Sequence, residues 1–386
     1  MKNFDFHNPT RLVFGKDTIP NIGSYVQQYG EKKVLLLYGK GSIFKNGVYD
    51  QVVASLQAAG ITYVEMSGVQ PNPVLSKVRE TVQFMKEEQV EAIVAVGGGS
   101  VLDTAKICAA SYYYAEDPWD FYERKVFPDK ALPIYGILTL SATGSEMNSG
   151  GVITNEEEKK KWGWGSKVTY PRLSIVDPSV QKSLPRNQTV KGVVDTLTHV
   201  FEAYFGGTKN TLMQDEFSEG IIRTTMAAAK VLLEDPSDYD ARAELAWAAT
   251  LALNGLNGLG RAGDWASHGI EHSLSAYYDI AHGEGLSMVM PAWMQYVYKE
   301  DVDKFARFGE KIFGLELEDQ EAQALAAIKA YKDFLQGIGA PVTLRERGIG
   351  EEHLVEMSKN ALLRGPLGTL KVLSEKDVLE ILRLAL

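Results

Sequence analysis

The 386-residue chain has a single cysteine, Cys108, which excludes any intramolecular disulfide and fits a reducing compartment. It also lacks an excess of positive charge: 40 Lys and Arg stand against 50 Asp and Glu, a formal charge of −10. Phosphate backbones are gripped by clustered basic residues, so a nucleic-acid surface is not expected. No apolar run is long enough for a membrane span. The opening stretch "MKNFDFHNPTRLVFG" has no apolar signal-peptide core. These absences predict a soluble, cytoplasmic protein. Internal repeats and low-complexity linkers are missing too, so closely packed domains are expected. Histidine is scarce as well, with six in all, and this makes the placement of those six informative.

What is present is ordinary globular composition, in a chain too long for one comfortable core; two domains are the default expectation. The first half alternates strand and helix signals. "KKVLLLYGKGS" is an apolar run closing in glycines, and "NGVYDQVVASLQAAG" has helical spacing. "ITYVEMSGV" and "VLSKVRETVQFMKEEQ" repeat the pair, as do "VEAIVAVGGGS" and "VLDTAKICAASYYYA"; "PIYGILTLSATGSE" and "LSIVDPSV" add two more strands. Continuous apolar runs with loops at their C-terminal ends predict buried parallel strands in an α/β domain. "GVITNEEEKKKWGWGSK" reads as a hairpin whose EEE/KKK run is a solvated tip. After "SLPRNQT" strand patterns vanish and helical ones take over. The domain boundary is expected near residue 184, giving an α/β domain over 1–184 and an all-helical one over 185–386.

Gly97, Gly98, Gly99 and Ser100 lie between a predicted strand and a predicted helix. Glycines let a backbone approach a ligand, and the N-terminus of the following helix offers N–H groups and a positive dipole end to a phosphate. A tight βα turn with no ligand would look similar. Two further loops, "YGKGS" (38–42) and "TLSATGSE" (139–146), end neighbouring strands with small polar residues. Such loops converge on the crevice where parallel sheets bind dinucleotides. No acid closes the early strand to meet a ribose 2′-hydroxyl. Lys40 and Ser42 stand there instead, which points to NADP(H) being accepted, with a lean towards it. Lys40 could equally be a plain surface lysine.

Three of the six histidines crowd into "DWASHGIEHSLSAYYDIAHGEG", at His268, His272 and His282. His268 and His272 are four apart, as are Asp195 and His199 in "VVDTLTHVF"; on a helix each pair shares a face. A carboxylate among Val193, Val194, Leu197, Val200 and Phe201 needs a partner, and a divalent cation would serve. Spacing alone leaves open which histidines bind, although same-face i, i+4 pairs such as His268 and His272 recur in zinc sites. His7 and His353 stand alone. Trp265, Tyr277 and Tyr278 could line an apolar pocket or belong to the core.

Taken with the opening "FDFHNPTRLVFGKDTI", the segments "PNP" (71–73), "GGGSVLDTAK" (97–106), "TGSEMN" (143–148), "DTLTH" (195–199) and "HGIEHSLSAYYDIAHGEGLSMVMP" (268–291) resemble the iron-containing, or group III, alcohol dehydrogenase family, near its NAD(P)H-dependent butanol dehydrogenase and aldehyde reductase branch. The resemblance runs nearly end to end. It implies a Rossmann-like N-terminal dinucleotide-binding domain and an all-α C-terminal domain in a dehydroquinate synthase-like fold. It also implies hydride transfer between NAD(P)(H) and primary alcohols or aldehydes, one Fe2+ or Zn2+ ion, and a homodimer. Matched residue by residue, the metal ligands fall on Asp195, His199, His268 and His282, and His272 stands beside the metal as a catalytic residue. Cofactor contacts fall on Gly39, Gly41, Ser42, Asn72, Gly97, Gly98, Gly99, Ser100, Asp103, Thr139, Ser141, Thr143 and Lys161. The last lies in the charged hairpin, part of which would then be less idle than its composition suggests. Two rival readings are a dehydroquinate synthase-like lyase using NAD transiently and a non-enzymatic metal- or nucleotide-binding protein. The lyase needs basic residues for a phosphonate-like group, which are not evident around the histidines, where only Arg261 is near in sequence.

Overall fold

Six strands form one parallel sheet: β1 (Arg11–Phe14), β2 (Lys33–Tyr38), β3 (Thr62–Met66), β4 (Ala92–Gly97), β5 (Ile134–Leu138) and, after a hairpin, β8 (Leu173–Val176). The computed structural model describes residues 1–386. The spatial order is β1-β8-β5-β4-β2-β3, with every pairing parallel. β4 and β5 are buried along their whole length because helices cover both faces, which is why these strands read as unbroken apolar runs. Alternate residues serve opposite layers. Val34 and Leu36 pack with α1 (Ile22–Tyr29), the short α2 (Ser42–Lys45) and α3 (Val48–Ala58), through Ile22, Val26, Ile43, Val52 and Leu56. Leu35 and Leu37 face α4 (Leu75–Glu88), α5 (Gly99–Ser111) and α6 (Trp119–Tyr122), through Val78, Val82, Leu102, Ala105 and Phe121.

The chain leaves β2 for β3 on one side and comes back to β4 on the other. That reversal is the topological switch point, and it sets the loop after Tyr38 beside the loop after Gly97. The loop after Leu138 is next along, since Gly97 pairs with Leu138. β6 (Gly150–Asn155) and β7 (Lys160–Gly165) form the expected antiparallel hairpin. β1 was not evident in the sequence: four partly exposed residues at a sheet edge give no apolar run.

The helical part contains α7 (Arg186–Tyr204), α8 (Leu212–Glu234), α9 (Tyr239–Leu253), α10 (Ala266–Tyr278), α11 (His282–Val297), α12 (Val302–Phe313), α13 (Gln320–Ile338), α14 (Leu354–Ala361) and α15 (Glu375–Leu384). None of the helices is long and apolar enough to cross a membrane. The chain divides into two units, His7–Leu184 with Pro236–Thr250, and Met1–Phe6 with Pro185–Asp235 and Leu251–Leu386. The division departs from a single cut at 184 in two places. Most of α9 belongs with the sheet, because Trp247 packs edge-on against Phe14 and Thr250 donates a hydrogen bond to Glu146. The first six residues belong with the helices, where the Lys2 amide bonds the carbonyl of Gly260.

Candidate metal centre and dinucleotide loops

α7 carries Asp195 and His199 on one face, α10 carries His268 and His272, and α11 opens at His282. Between the last two helices Asp279 takes a left-handed turn (φ 48°) that ends α10 and turns the chain back. The glycines of "HGEG" let α11 come close to its neighbours. A Cβ on Gly283 would sit 2.5 Å from the Lys191 carbonyl oxygen of α7, and one on Gly285 would sit 2.7 Å from Glu271 of α10.

The ligand atoms of Asp195, His268 and His282 lie within 4.8 Å of one another. His199 lies beside this set rather than within it. Its Nδ1 is 3.5 Å from Asp195 Oδ1, and its ring stacks on His268 with centroids 4.7 Å apart. His282 Nε2 is also 3.5 Å from Asp195 Oδ1. Asp195, His199 and His268 are buried, and His268 Nε2 has no hydrogen-bond partner. An imidazole nitrogen buried without a partner is costly, and a cation offered one carboxylate and three imidazoles would relieve it. Burial, then the charges of His268 and His282, push His199 well below the ordinary imidazole range. It therefore stands neutral, the state a metal ligand needs. This donor set fits a divalent metal.

Two carboxylates stand behind the imidazoles. His268 Nδ1 lies 2.6 Å from Glu202 Oε1, and His282 Nδ1 contacts Glu271 Oε2. A carboxylate on one ring nitrogen fixes the tautomer and aims the other at a metal. Glu202 also accepts from the Ser267 hydroxyl and the backbone N–H groups of Trp265 and His268. Burial alone would favour its neutral form, but the bond and charge of His268 and the bond from Ser267 hold it below the usual carboxylate range.

His272 stands at the edge of this group, its ring 5.6 Å from His282 and 6.4 Å from His268. With Glu271 and His282 it forms a second set whose ligand atoms lie within 4.8 Å of one another. Of the three aromatics near the ligands in sequence, only Trp265 reaches them, with its ring 5.2 Å from that of His268. Tyr277 and Tyr278 pack against His353 instead. Arg261 turns away to Asp215 at 2.9 Å.

In the α/β unit, α5 opens at Gly99 with no side chain capping it and no acid in its first turn, which leaves its positive end open to an anion. Two of the glycines here answer to internal packing. A Cβ on Gly97 would meet Val101 at 2.4 Å, and one on Gly99 would meet Thr143 at 2.5 Å, whereas Gly98 has only Leu140 at 3.3 Å. Gly99 thus lets the loop after β5 close onto the helix start. The Thr139 N–H bonds the Gly97 carbonyl, and Ser141 Oγ accepts from Gln181. Lys161 is 4% exposed and its Nζ lies 3.0 Å from Asn72 Oδ1. So the solvated-tip reading of the EEE/KKK run fails at Lys161, which β7 turns inward opposite Thr154. Asp103 also points inward, accepting from the Ser145 hydroxyl at 2.6 Å and the Val152 N–H at 2.9 Å. Gly39, Gly41 and Ser42 follow β2. The acid nearest that strand end, Glu65, is occupied by the hydroxyls of Tyr38 and Tyr49, while Lys40 is exposed.

Residues 9–178 match the family model for iron-containing alcohol dehydrogenase, and residues 189–386 match the model for the C-terminal part of that family. The chain belongs to the iron-containing alcohol dehydrogenase family. It is 42% identical to the probable NADH-dependent butanol dehydrogenase 1 of Bacillus subtilis, over 100% of both chains, and 37% identical to the NADPH-dependent aldehyde reductase YqhD of Escherichia coli, over 90% of both. The solved structure of NADH-dependent butanol dehydrogenase A from Thermotoga maritima superposes with a TM-score of 0.98 at 53% identity, covering 100% of this chain and 99% of that one. The dehydrogenase therefore has a dehydroquinate synthase-like fold, is an NAD(P)-dependent oxidoreductase of alcohols and aldehydes, and uses a nicotinamide cofactor and an iron-type metal.

Sequence reasoning passed over Glu202 and Glu271. A signal for each existed. Glu202 is seven residues after Asp195 and three after His199, so one face of α7 carries all three, and Glu271 is three after His268 on α10.

Proposed function

We propose that the protein is a metal-dependent reductase of linear primary aldehydes such as butanal, also oxidising the matching alcohols, with Asp195, His199, His268 and His282 as the ligands of one Fe2+ or Zn2+ ion. The observation that carries this reading is the buried, unpartnered Nε2 of His268 beside Asp195 and His282. A divalent metal held there supplies Lewis-acid polarisation of the substrate oxygen, and the nicotinamide carries the hydride.

The chain's own residues do the rest. Glu202 and Glu271 keep protons on the Nδ1 atoms of His268 and His282, so their Nε2 lone pairs point to the cation. His272, half-buried beside the ligands, moves the proton between the substrate oxygen and solvent. Gly39, Gly41, Ser42, Asn72, Gly97–Ser100, Asp103, Thr139, Ser141, Thr143 and Lys161 would hold the dinucleotide, the uncapped start of α5 being suited to its phosphates. The absence of a free acid after β2 favours NADP(H), and Lys40 and Ser42 in the loop that follows would be the partners of a 2′-phosphate.

Substrates without a charged group fit because the nearby basic residues are already paired. Arg261 meets Asp215, and Lys191 and Arg347 both meet Glu284. The same pairing disfavours a dehydroquinate synthase-like lyase. Homodimerisation and a cytoplasmic location belong to this reading.

The test is a panel of aldehydes and alcohols of rising chain length, crossed with NADH and NADPH, on enzyme of defined metal content. Net NADPH oxidation with butanal, abolished by chelator and restored by Fe2+ or Zn2+, is the expected result. Turnover insensitive to chelation would overturn it, and a strong NADH preference would overturn the NADP(H) part.

A further inference from the structure

Lys106 sits on α5, two turns beyond Gly99, and is 1% exposed. An ammonium that deep is unfavourable unless each of its donors is bonded. All three are. Nζ lies 2.7 Å from Ser145 Oγ, 2.9 Å from Asn148 Oδ1 and 2.7 Å from the Gly150 carbonyl oxygen. The three acceptors belong to one segment, residues 145–150, which directly continues the loop carrying Thr139, Ser141 and Thr143. The Ser145 hydroxyl donates a hydrogen bond to Asp103, and Asp103 also accepts the Val152 N–H, so lysine and aspartate grip the segment from the same helix.

We propose that Lys106 is a positioning residue of the dinucleotide cradle. It clamps the 145–150 segment to α5 and so fixes the preceding loop against the helix N-terminus that takes the pyrophosphate. The inference rests on the reading above that this crevice holds the cofactor. With its three donors used, Lys106 has none left for a ligand, so it acts through the loop.

A structural core residue would not need a charge here, since an apolar side chain of similar length avoids the desolvation penalty. The contact partners are neutral oxygens, so no ion pair cancels the charge. The ionisable groups facing it are Asp103 on its own helix and Glu146 on the clamped segment. Burial pushes Glu146 above the usual carboxylate range, which weakens it as a counter-ion. Burial also pulls the Lys106 amine down to about 8, partly offset by Asp103 and then Glu146. The clamp should therefore loosen in mildly alkaline solution, as the amine loses one of its three donors.

The experiment is fluorescence titration of the metal-loaded enzyme with NADPH and with NADH from pH 6.5 to 9.5, without substrate. Wild type is expected to bind about tenfold more weakly at the alkaline end. Lys106→Met should bind weakly throughout, with no inflection near pH 8, and Lys106→Arg should regain affinity without that inflection. Asn148→Ala removes one acceptor of Lys106 together with the Asn148 bonds to the Thr143 and Gly144 carbonyls and the Gly150 N–H; it should weaken binding several-fold and flatten the inflection near pH 8 while metal content stays at the wild-type level, which keeps the question answerable if Lys106→Met does not fold. Wild-type affinity and an unchanged pH profile in Lys106→Met, or wild-type affinity in Asn148→Ala, would overturn the inference alone. Failure of the wild type to bind either dinucleotide would overturn the cofactor reading along with it.

Discussion

His268 Nδ1 lies 2.6 Å from Glu202 Oε1, with both side chains buried. The contact joins α7 to the start of α10 and leaves His268 Nε2 as the imidazole atom available to a cation. Glu202→Gln is expected to lower metal affinity about 10–100-fold, read by chelator competition. Glu271→Gln should act in the same direction through His282. Unchanged metal affinity in both variants would remove the carboxylates from the metal site.

His272 is assigned proton transfer rather than metal binding. His272→Ala should cut kcat by about a hundredfold or more, with metal content by elemental analysis equal to wild type. Loss of metal would instead mean that Glu271, His272 and His282 form the true ligand set.

Gly99 is needed for a contact within the protein. Gly99→Ala places a Cβ 2.5 Å from Thr143, an overpacking that should destabilise by about 1–3 kcal/mol and weaken dinucleotide binding. Adding Thr143→Ala removes the two nearest atoms and should recover part of the lost stability. Thermal unfolding of the single and double variants decides it, and no recovery would place the strain elsewhere.

The pH dependence of stability should carry a mark from Asp264. Burial, then the charge of Glu202, push its carboxyl up to about 6, despite N–H donors from Leu370, Thr369 and Ala266. A folded-state value above the unfolded one means the fold binds this proton more tightly. The group's stabilising contribution is therefore full below about pH 4 and is lost as the pH rises through about 6, worth about 3 kcal/mol at most. The Tm of wild type minus that of Asp264→Asn should fall between pH 5 and 7.5. A difference that rises over that interval would contradict the assignment.

The sheet was legible because its signal is local. Runs such as "VEAIVAVGGGS" declare a strand buried on both faces and the loop that ends it, and β2, β4 and β5 lie where those runs are. β1 was not, since Arg11–Phe14 is short, partly exposed and bonded on one side only, to β8. Nor was the allegiance of α9, which depends on Trp247 meeting Phe14 and Thr250 meeting Glu146 across long stretches of chain. The histidines show the same limit. Spacing couples His268 to His272 on one helix face, but Asp195 and His282 come to His268 from α7 and α11. Helix crossings of that kind leave no periodicity to read. Lys161 illustrates the converse: composition places it with a solvated charge run, while its register on β7 turns it inward to Asn72.

The most direct measurement is anomalous diffraction at the iron edge from crystals grown with Fe2+. One peak is expected, at about 2.0–2.2 Å from an Asp195 oxygen, a ring nitrogen of His199, and the Nε2 atoms of His268 and His282. A peak bound by Glu271 and His272 in place of Asp195 and His199, or the absence of any peak among these residues, would contradict the proposed centre.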